Sequence, residues 1–299
     1  MNFAAGWKEF GVPPGRGDSW TNCEPEWRWP SVRSTTLPAK ILAVMEEGTA
    51  LVNTHTPGPP VTSDKGNDRR ILRIGHRGAA GHAPENTLAA IRKGIALGVD
   101  FVELDIQRSR DGRLVLLHDE RVDRTTNGTG RVSGLTWEEL QLLDAGDEER
   151  IPSLEAALAA ASGHAGVMLE AKTPGTGPAI YAAVQAAAFS GPVVYASFLH
   201  AEILEIRRID PLARTLALME VVPPSGAVLA RKAEATLVGL AHDSATGELV
   251  ATLHDAGLEV WLYTVNEPTL ISRAISIGAN GVISDYPERV GKSWPGFGG

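Results

Sequence analysis

Residues 100–119, DFVELDIQRSRDGRLVLLHD, carry the reading that decides the fold. The first seven form an apolar, strand-like run in which Glu103 and Asp105 stand two apart, so a pleated strand points both carboxylates to one face. Asp111-Gly112 is a hairpin-turn signal, and the apolar run after it returns along the first. Centring the turn on that pair sets Asp105 and His118 at equal distances from it, which predicts a carboxylate and an imidazole nearly opposite each other on two arms.

Outward from this stretch, short apolar runs alternate with Ala- and Leu-rich helical ones, the pattern of βα units around a parallel sheet. Strands are expected at 71–75, 100–106, 166–171, 193–197, 214–219, 236–240, 258–265 and 280–284. Eight such units predict a closed (β/α)₈ TIM barrel. Helices are expected at 86–97, with Leu88, Ile91 and Ile95 on one face, and at 178–189, 200–209, 246–256 and 267–277. Asn86, in PENT, reads as the N-cap of the first helix. Residues 112 to about 165 read as a small insertion after the second strand, with helices near 136–143 and 153–162. Thr136 and Glu139 form a capping box for the former.

Residues 1–70 differ in texture. They hold Trp7, Trp20, Trp27 and Trp29 without sustained periodicity and close in Thr-Pro-Gly-Pro-Pro, which predicts a poorly structured N-terminal extension with a linker near 56–69 and a short helix at 37–52. The barrel is expected over 71–292 and a C-terminal tail over 293–299. Cys23 is the single cysteine, which excludes an intrachain disulfide and a thiolate metal cluster. A formal charge of −8, from 28 Lys and Arg against 36 Asp and Glu, argues against a nucleic-acid groove. No run approaches the roughly 18 apolar residues of a membrane span, so no stable membrane insertion is expected. Without an apparent export signal, cytoplasmic residence is the expectation. The oligomeric state is not indicated.

Barrel enzymes build their active sites at the C-terminal ends of the strands. There lie His76 and Arg77 after the first strand, Glu103 and Asp105 near the end of the second, and Glu170 and Lys172 at the end of the third; His118 arrives from the hairpin. Three carboxylates in one cavity repel unless a cation neutralises them, and an all-oxygen set suits one Mg²⁺ or Ca²⁺. Arg77 and Lys172 supply positive charge for phosphoryl oxygens, and two histidines divide the proton work of a phosphodiester cleavage. Asp285, after the last strand, reads as a loop anchor. His82, His164, His200 and His254 lack comparable context, and His242 at a strand end has little more.

Taken in order, GHRG (75–78), APENTLAAI (83–91), VELDIQRSRDGRLVLLHDERVDRTTNGTG (102–130), LTWEELQLLDAG (135–146), IPSLEAAL (151–158), MLEAK (168–172), ASF (196–198), YTVN (263–266) and GVISDYP (281–287) closely resemble the glycerophosphodiester phosphodiesterase family over about 71–290. The resemblance implies a TIM barrel that hydrolyses small-molecule glycerophosphodiesters, such as glycerophosphocholine or glycerophosphoethanolamine, to glycerol 3-phosphate and an alcohol. It implies a divalent ion on Glu103, Asp105 and Glu170, an acid/base pair in His76 and His118, and phosphate contacts from Arg77 and Lys172. Many relatives carry Trp where Tyr263 precedes Thr-Val-Asn, so in this chain the substrate would meet a phenolic ring.

Two rival readings follow from the same residues. A phospholipase D-like enzyme acting on phospholipid head groups would need an apolar rim facing a bilayer. A non-catalytic barrel binding phosphorylated ligands would have little use for two histidines beside three acids.

Overall fold

The computed structural model of the 299-residue chain describes residues 70–221 and 226–291. The expectations for 1–69, including the extension, its linker and its short helix, and for the tail at 293–299 lie outside the described residues.

The sequence alternates β1 (Leu72–Gly75), α1 (Leu88–Ala96), β2 (Phe101–Arg108), β3 (Leu114–Leu116), α2 (Trp137–Gln141), α3 (Leu154–Ala161), β4 (Gly166–Ala171), α4 (Thr176–Ala186) and β5 (Val193–Ser197). It continues through α5 (His200–Ile209), β6 (Thr215–Met219), α6 (Gly226–Lys232), β7 (Leu237–Ala241), α7 (Gly247–Asp255), β8 (Glu259–Tyr263), α8 (Pro268–Ser276) and β9 (Gly281–Ser284). Eight parallel strands run in the order β1-β9-β8-β7-β6-β5-β4-β2, and β1 pairs with β2 to close the TIM barrel. The registers Ile74↔Phe101 and Ile74↔Ile283 fix that closure.

Strand side chains alternate between two packed layers. Ile74, Phe101, Met168, Val194, Ala196, Leu216, Leu218, Leu237, Trp261 and Ile283 fill the barrel, while residues such as Val102, Leu104, Val167, Val238 and Val282 face the helices. Trp261 is fully buried and meets Phe101 at 5.2 Å between ring centroids.

β3 pairs antiparallel with the far end of β2 through Ile106↔Leu116 and Arg108↔Leu114. Since β4 holds the other edge of β2 and β1 ends at Gly75, β3 takes over the edge that β1 leaves free. The turn spans Ser109 to Arg113, closed by the amide of Ser109 donating to the carbonyl of Arg113. It is therefore centred on Asp111 alone, one half-step from the expected position. Leu117, not His118, stands opposite Asp105, donating its amide to the Asp105 carbonyl at 3.0 Å.

Three further differences have local causes. Asn86 does not cap α1: its backbone is left-handed, with φ of 58°, and Thr87 is the N-cap, its hydroxyl accepting from the amide of Ala90. The helix α6 has no counterpart in the sequence reading, because its Ala-rich turn follows a Pro-Pro pair without a clear apolar face. Helix α3 packs against α1 and α4, so it serves as the ring helix between β2 and β4. What stands apart from the barrel is the stretch before it, with its own core of Val115, Leu117, Val122, Val132, Leu140, Ala145 and Ile151. The Thr136–Glu139 capping box is formed.

Gly78 fixes how the first loop meets α1. Its φ is +93°, its amide donates to the carbonyls of Gly75 and Glu103, and a Cβ there would lie 2.5 Å from the carbonyl carbon of Ala90. Gly78→Ala is expected to destabilise the protein by about 2–4 kcal/mol, combining a left-handed alanine with backbone overlap, as read by urea unfolding. An unchanged midpoint would show that α1 shifts freely on the barrel.

Candidate active site

The alternation that fills the barrel continues out of its C-terminal end. Ile74 leads to His76 just past β1, Phe101 to Glu103 and Asp105 on β2, and Met168 to Glu170 on β4 and Lys172 just past it, at every second position. Because β1, β2 and β4 are adjacent, these side chains converge. Glu103, Asp105 and Glu170 are all buried, and one carboxylate oxygen from each lies within 4.8 Å of the other two.

Such crowding shows in their protonation. Burial, and then the charge of Asp105, pushes the Glu103 carboxyl up to about 8. The same two causes push Glu170 up to about 7. Burial also acts to raise Asp105, but the cations of Lys172 and Arg77, the nearby His118 and a hydrogen bond from Asn86 hold it below the usual carboxylate range. Lys172 Nζ lies 2.7 Å from Glu170 Oε1 and 3.3 Å from Asp105 Oδ1. Arg77 Nε lies 3.3 Å from Asp105 Oδ2, and the Arg77 amide donates to Glu103 Oε2 at 2.8 Å. Asn86 grips Asp105 from both sides, its Nδ2 donating to Oδ2 and its Oδ1 accepting from the Asp105 amide. An all-oxygen cluster in which two acids retain protons without more counter-charge fits a divalent cation.

Each histidine is backed by its own carboxylate. His76 Nδ1 is 2.7 Å from Asp285 Oδ1, and Asp285 Oδ2 accepts from Asn266 Nδ2 at 2.7 Å. Asn266 Oδ1 accepts in turn from the Asp285 amide and the Ser284 hydroxyl, so the pair is locked. Burial works to lower the His76 pKa, yet the bond to Asp285 and the charge of Glu103 leave it raised. His118 Nδ1 is 2.7 Å from Asp119 Oδ1. Arg124 binds both oxygens of Asp119 and both of Glu85, and Glu85 also accepts from Arg77 Nη1 at 2.7 Å. An ionic chain thus runs from His118 through Asp119, Arg124 and Glu85 to Arg77 and the acid cluster. A ring that donates Nδ1–H to a carboxylate keeps Nε2 free for proton transfer.

Tyr263 ends β8 across the barrel mouth, half-buried, edge-on to Phe198 at 6.0 Å between centroids. Its phenol is raised first by burial and then by Glu220, Glu170 and Asp243. All eight residues singled out from the sequence therefore lie at one end of the barrel. The other histidines do not join them: His82 faces Glu288, His200 the carbonyl of Leu218 and His254 Asn280, while His164 is exposed. His242 Nδ1 is buried without a partner.

Sequence reasoning passed over Asp285 as part of the site, along with Asn266, Asp119, Arg124 and Glu85. For Asp285 a signal existed, since Gly281, Ile283 and Asp285 share the inward parity of β9. Asp119 directly follows His118, while Asn266, Arg124 and Glu85 arrive from loops and leave no periodic trace.

Comparison with known proteins agrees with the fold. The model of the glycerophosphoryl diester phosphodiesterase family matches residues 76–289. A glycerophosphodiester phosphodiesterase of Caldanaerobacter subterraneus is 33% identical over 232 residues, covering 73% of this chain and 96% of the relative. Another from Bacillus subtilis is 30% identical over 271 residues, covering 80% and 92%. An Oleispira antarctica phosphodiesterase, solved in complex with the product sn-glycerol-3-phosphate, superposes with a TM-score of 0.70 at 27% identity, over 74% of this chain and 95% of that one. The chain therefore belongs to the glycerophosphoryl diester phosphodiesterase family, and with it to the phosphoric diester hydrolases.

Proposed function

We propose that the protein hydrolyses glycerophosphodiesters to glycerol 3-phosphate and an alcohol, using one Mg²⁺ or Ca²⁺ held by Glu103, Asp105 and Glu170. The observation that carries this reading is the convergence of three buried carboxylates within 4.8 Å of one another, flanked by Arg77 and Lys172. Such an ion, when bound, polarises a phosphoryl oxygen and offsets charge that develops on it.

The chain's own groups supply the rest. The Arg77 guanidinium and the Lys172 ammonium bind phosphoryl oxygens and orient the diester, and Tyr263 contributes to substrate binding from the opposite wall. His76 and His118 act as the acid/base pair: one accepts the proton of the attacking oxygen as the new P–O bond forms, and the other donates a proton to the leaving alkoxide as the old bond breaks. Asp285 and Asp119 fix the rings through Nδ1, so that Nε2 of each does this work.

One observation favours a second reading, cleavage of lipid head groups. Phe198, Leu199 and Val221 follow β5 and β6 at the mouth with exposed side chains, and Val228 and Leu229 are exposed on the neighbouring α6. Among the described residues no helix is long and apolar enough to cross a membrane. Release of choline from lysophosphatidylcholine, with lysophosphatidate as the other product, would mark the second reading.

Release of glycerol 3-phosphate from glycerophosphocholine is expected to stop with EDTA and return with Mg²⁺ or Ca²⁺; turnover that persists without metal would remove the ion from the mechanism. Because Glu103 near 8 and Glu170 near 7 hold protons that a cation must expel, Mg²⁺ affinity is expected to rise between about pH 6 and about pH 8 and then level off, with protons released on binding. Calorimetry in buffers of different ionisation enthalpy reads both effects. His76→Ala and His118→Ala are each expected to lower kcat by about 10²-fold or more, and Asp285→Asn by about 10- to 10²-fold, with smaller changes in KM. Normal kcat in the histidine variants would place the proton chemistry elsewhere.

A further inference from the structure

Two carboxylates hold groups assigned above to the diester. Asp119 Oδ1 lies 2.7 Å from His118 Nδ1, and Glu85 Oε1 accepts from Arg77 Nη1 at 2.7 Å. Both turn to the same guanidinium. Arg124 Nε and Nη2 donate to Asp119 at 2.7 and 3.0 Å, and Arg124 Nη1 and Nη2 donate to Glu85 at 2.9 and 2.7 Å. One nitrogen, Nη2, therefore meets Asp119 Oδ1 and Glu85 Oε1, the same two oxygens that carry the imidazole and the other arginine.

Folding stability does not account for this node. The Arg124 side chain is 48% exposed, and ion pairs so open to water add little to stability. Orientation does account for it. Gln107 Nε2 donates to the His118 carbonyl and the Leu117 amide to the Asp105 carbonyl, so β2 fixes the backbone that carries His118. The ring needs a further hold. Among the described residues the Asp119 carboxylate has no hydrogen-bond partner besides His118 and Arg124, and the Glu85 carboxylate none besides Arg77 and Arg124. A carboxylate left with one partner swings with it, whereas the planar fork of an arginine pins both carboxylates in one geometry. The hydrogen bonds from Arg124 also hold Asp119 below the usual carboxylate range, which keeps it an acceptor for the imidazole.

We propose that Arg124 is a positioning residue for the phosphodiester cleavage, setting the His118 ring through Asp119 and the Arg77 guanidinium through Glu85, so that one side chain aligns proton transfer with phosphate binding. The inference rests on the roles given to His118 and Arg77 above. With Nδ1–H donated to Asp119, His118 presents Nε2 to the diester. With Nη1 donated to Glu85, Arg77 is held facing Asp105. Loss of Arg124 frees both carboxylates, and the imidazole then samples other tautomers and directions.

Arg124→Ala is expected to lower kcat on glycerophosphocholine by about 10- to 10²-fold, the scale of a misplaced reacting group, while the melting midpoint moves by no more than about 3 °C. Because the lost side chain leaves an opening to solvent, millimolar methylguanidinium is expected to restore much of the rate and methylammonium little of it. Arg124→Lys, which keeps the charge without the fork, is expected to melt as the native protein does and still lose kcat by about tenfold. The double variant Asp119→Asn with Arg124→Ala is expected to match the kcat of Asp119→Asn within about twofold, since both changes act on one ring. A readout free of turnover is the neutral His118 ring in metal-free protein labelled with ¹⁵N-histidine, expected as the Nδ1–H tautomer in the native chain and as a mixture in Arg124→Ala. Native kcat in Arg124→Lys, losses that multiply in the double variant, or an unchanged His118 tautomer would overturn the positioning role and leave the phosphodiesterase reading intact. Failure of the native protein to hydrolyse any diester in the presence of metal would overturn that reading, and the role in cleavage with it.

Discussion

The whole site turns on the cost of keeping three carboxylates out of water within a few ångströms of one another. Burial of unpaired charge costs several kcal/mol per ion, so such a cluster persists only where other groups offset it. Lys172 bridges Glu170 and Asp105, Arg77 reaches Asp105 with its guanidinium and Glu103 with its amide, and Asn86 brackets Asp105. What these groups leave unbalanced appears as the raised protonation of Glu103 and Glu170. Even the backbone is committed to the same task. Arg77 and Asn86, both non-glycine residues with positive φ, each aim a side chain at Asp105, and the Arg77 amide also reaches Glu103. Strain of that kind persists where the surroundings over-determine it.

Much of this was legible from residue types alone. Strand parity is a local property, so Glu103 with Asp105 and Glu170 with Lys172 could be read as pairs directed to one face before any partner strand was known. Eight apolar runs of strand length, spaced by helical stretches, left a closed parallel barrel as the way to bury both faces. The capping box at Thr136 was legible for the same reason, since its partners are three residues apart.

What escaped the reading depended on half-steps and on distance. A turn centred on one residue instead of two moves the facing partner of Asp105 from His118 to Leu117, and dipeptide signals do not resolve that difference. Asn86 and Thr87 are both good caps, and the choice between them was made by Asp105, nineteen positions away, which claims the Asn86 side chain. The partner of His76 comes from 285, an association that only the closed fold creates, while Asp119 directly follows His118 and is set in place by Arg124.

His118 is carried by a unit with an apolar core of its own, whereas His76 and the three acids grow from the barrel wall. The imidazole of His118 and the three carboxylates are thus mounted on different parts of one compact unit, joined by the β2–β3 ladder and the Arg124 ion chain. Changes in the sequence of 117–152 that spare Leu117, Asp119 and Arg124 therefore act first on where His118 sits, and only through those three residues on the acid cluster.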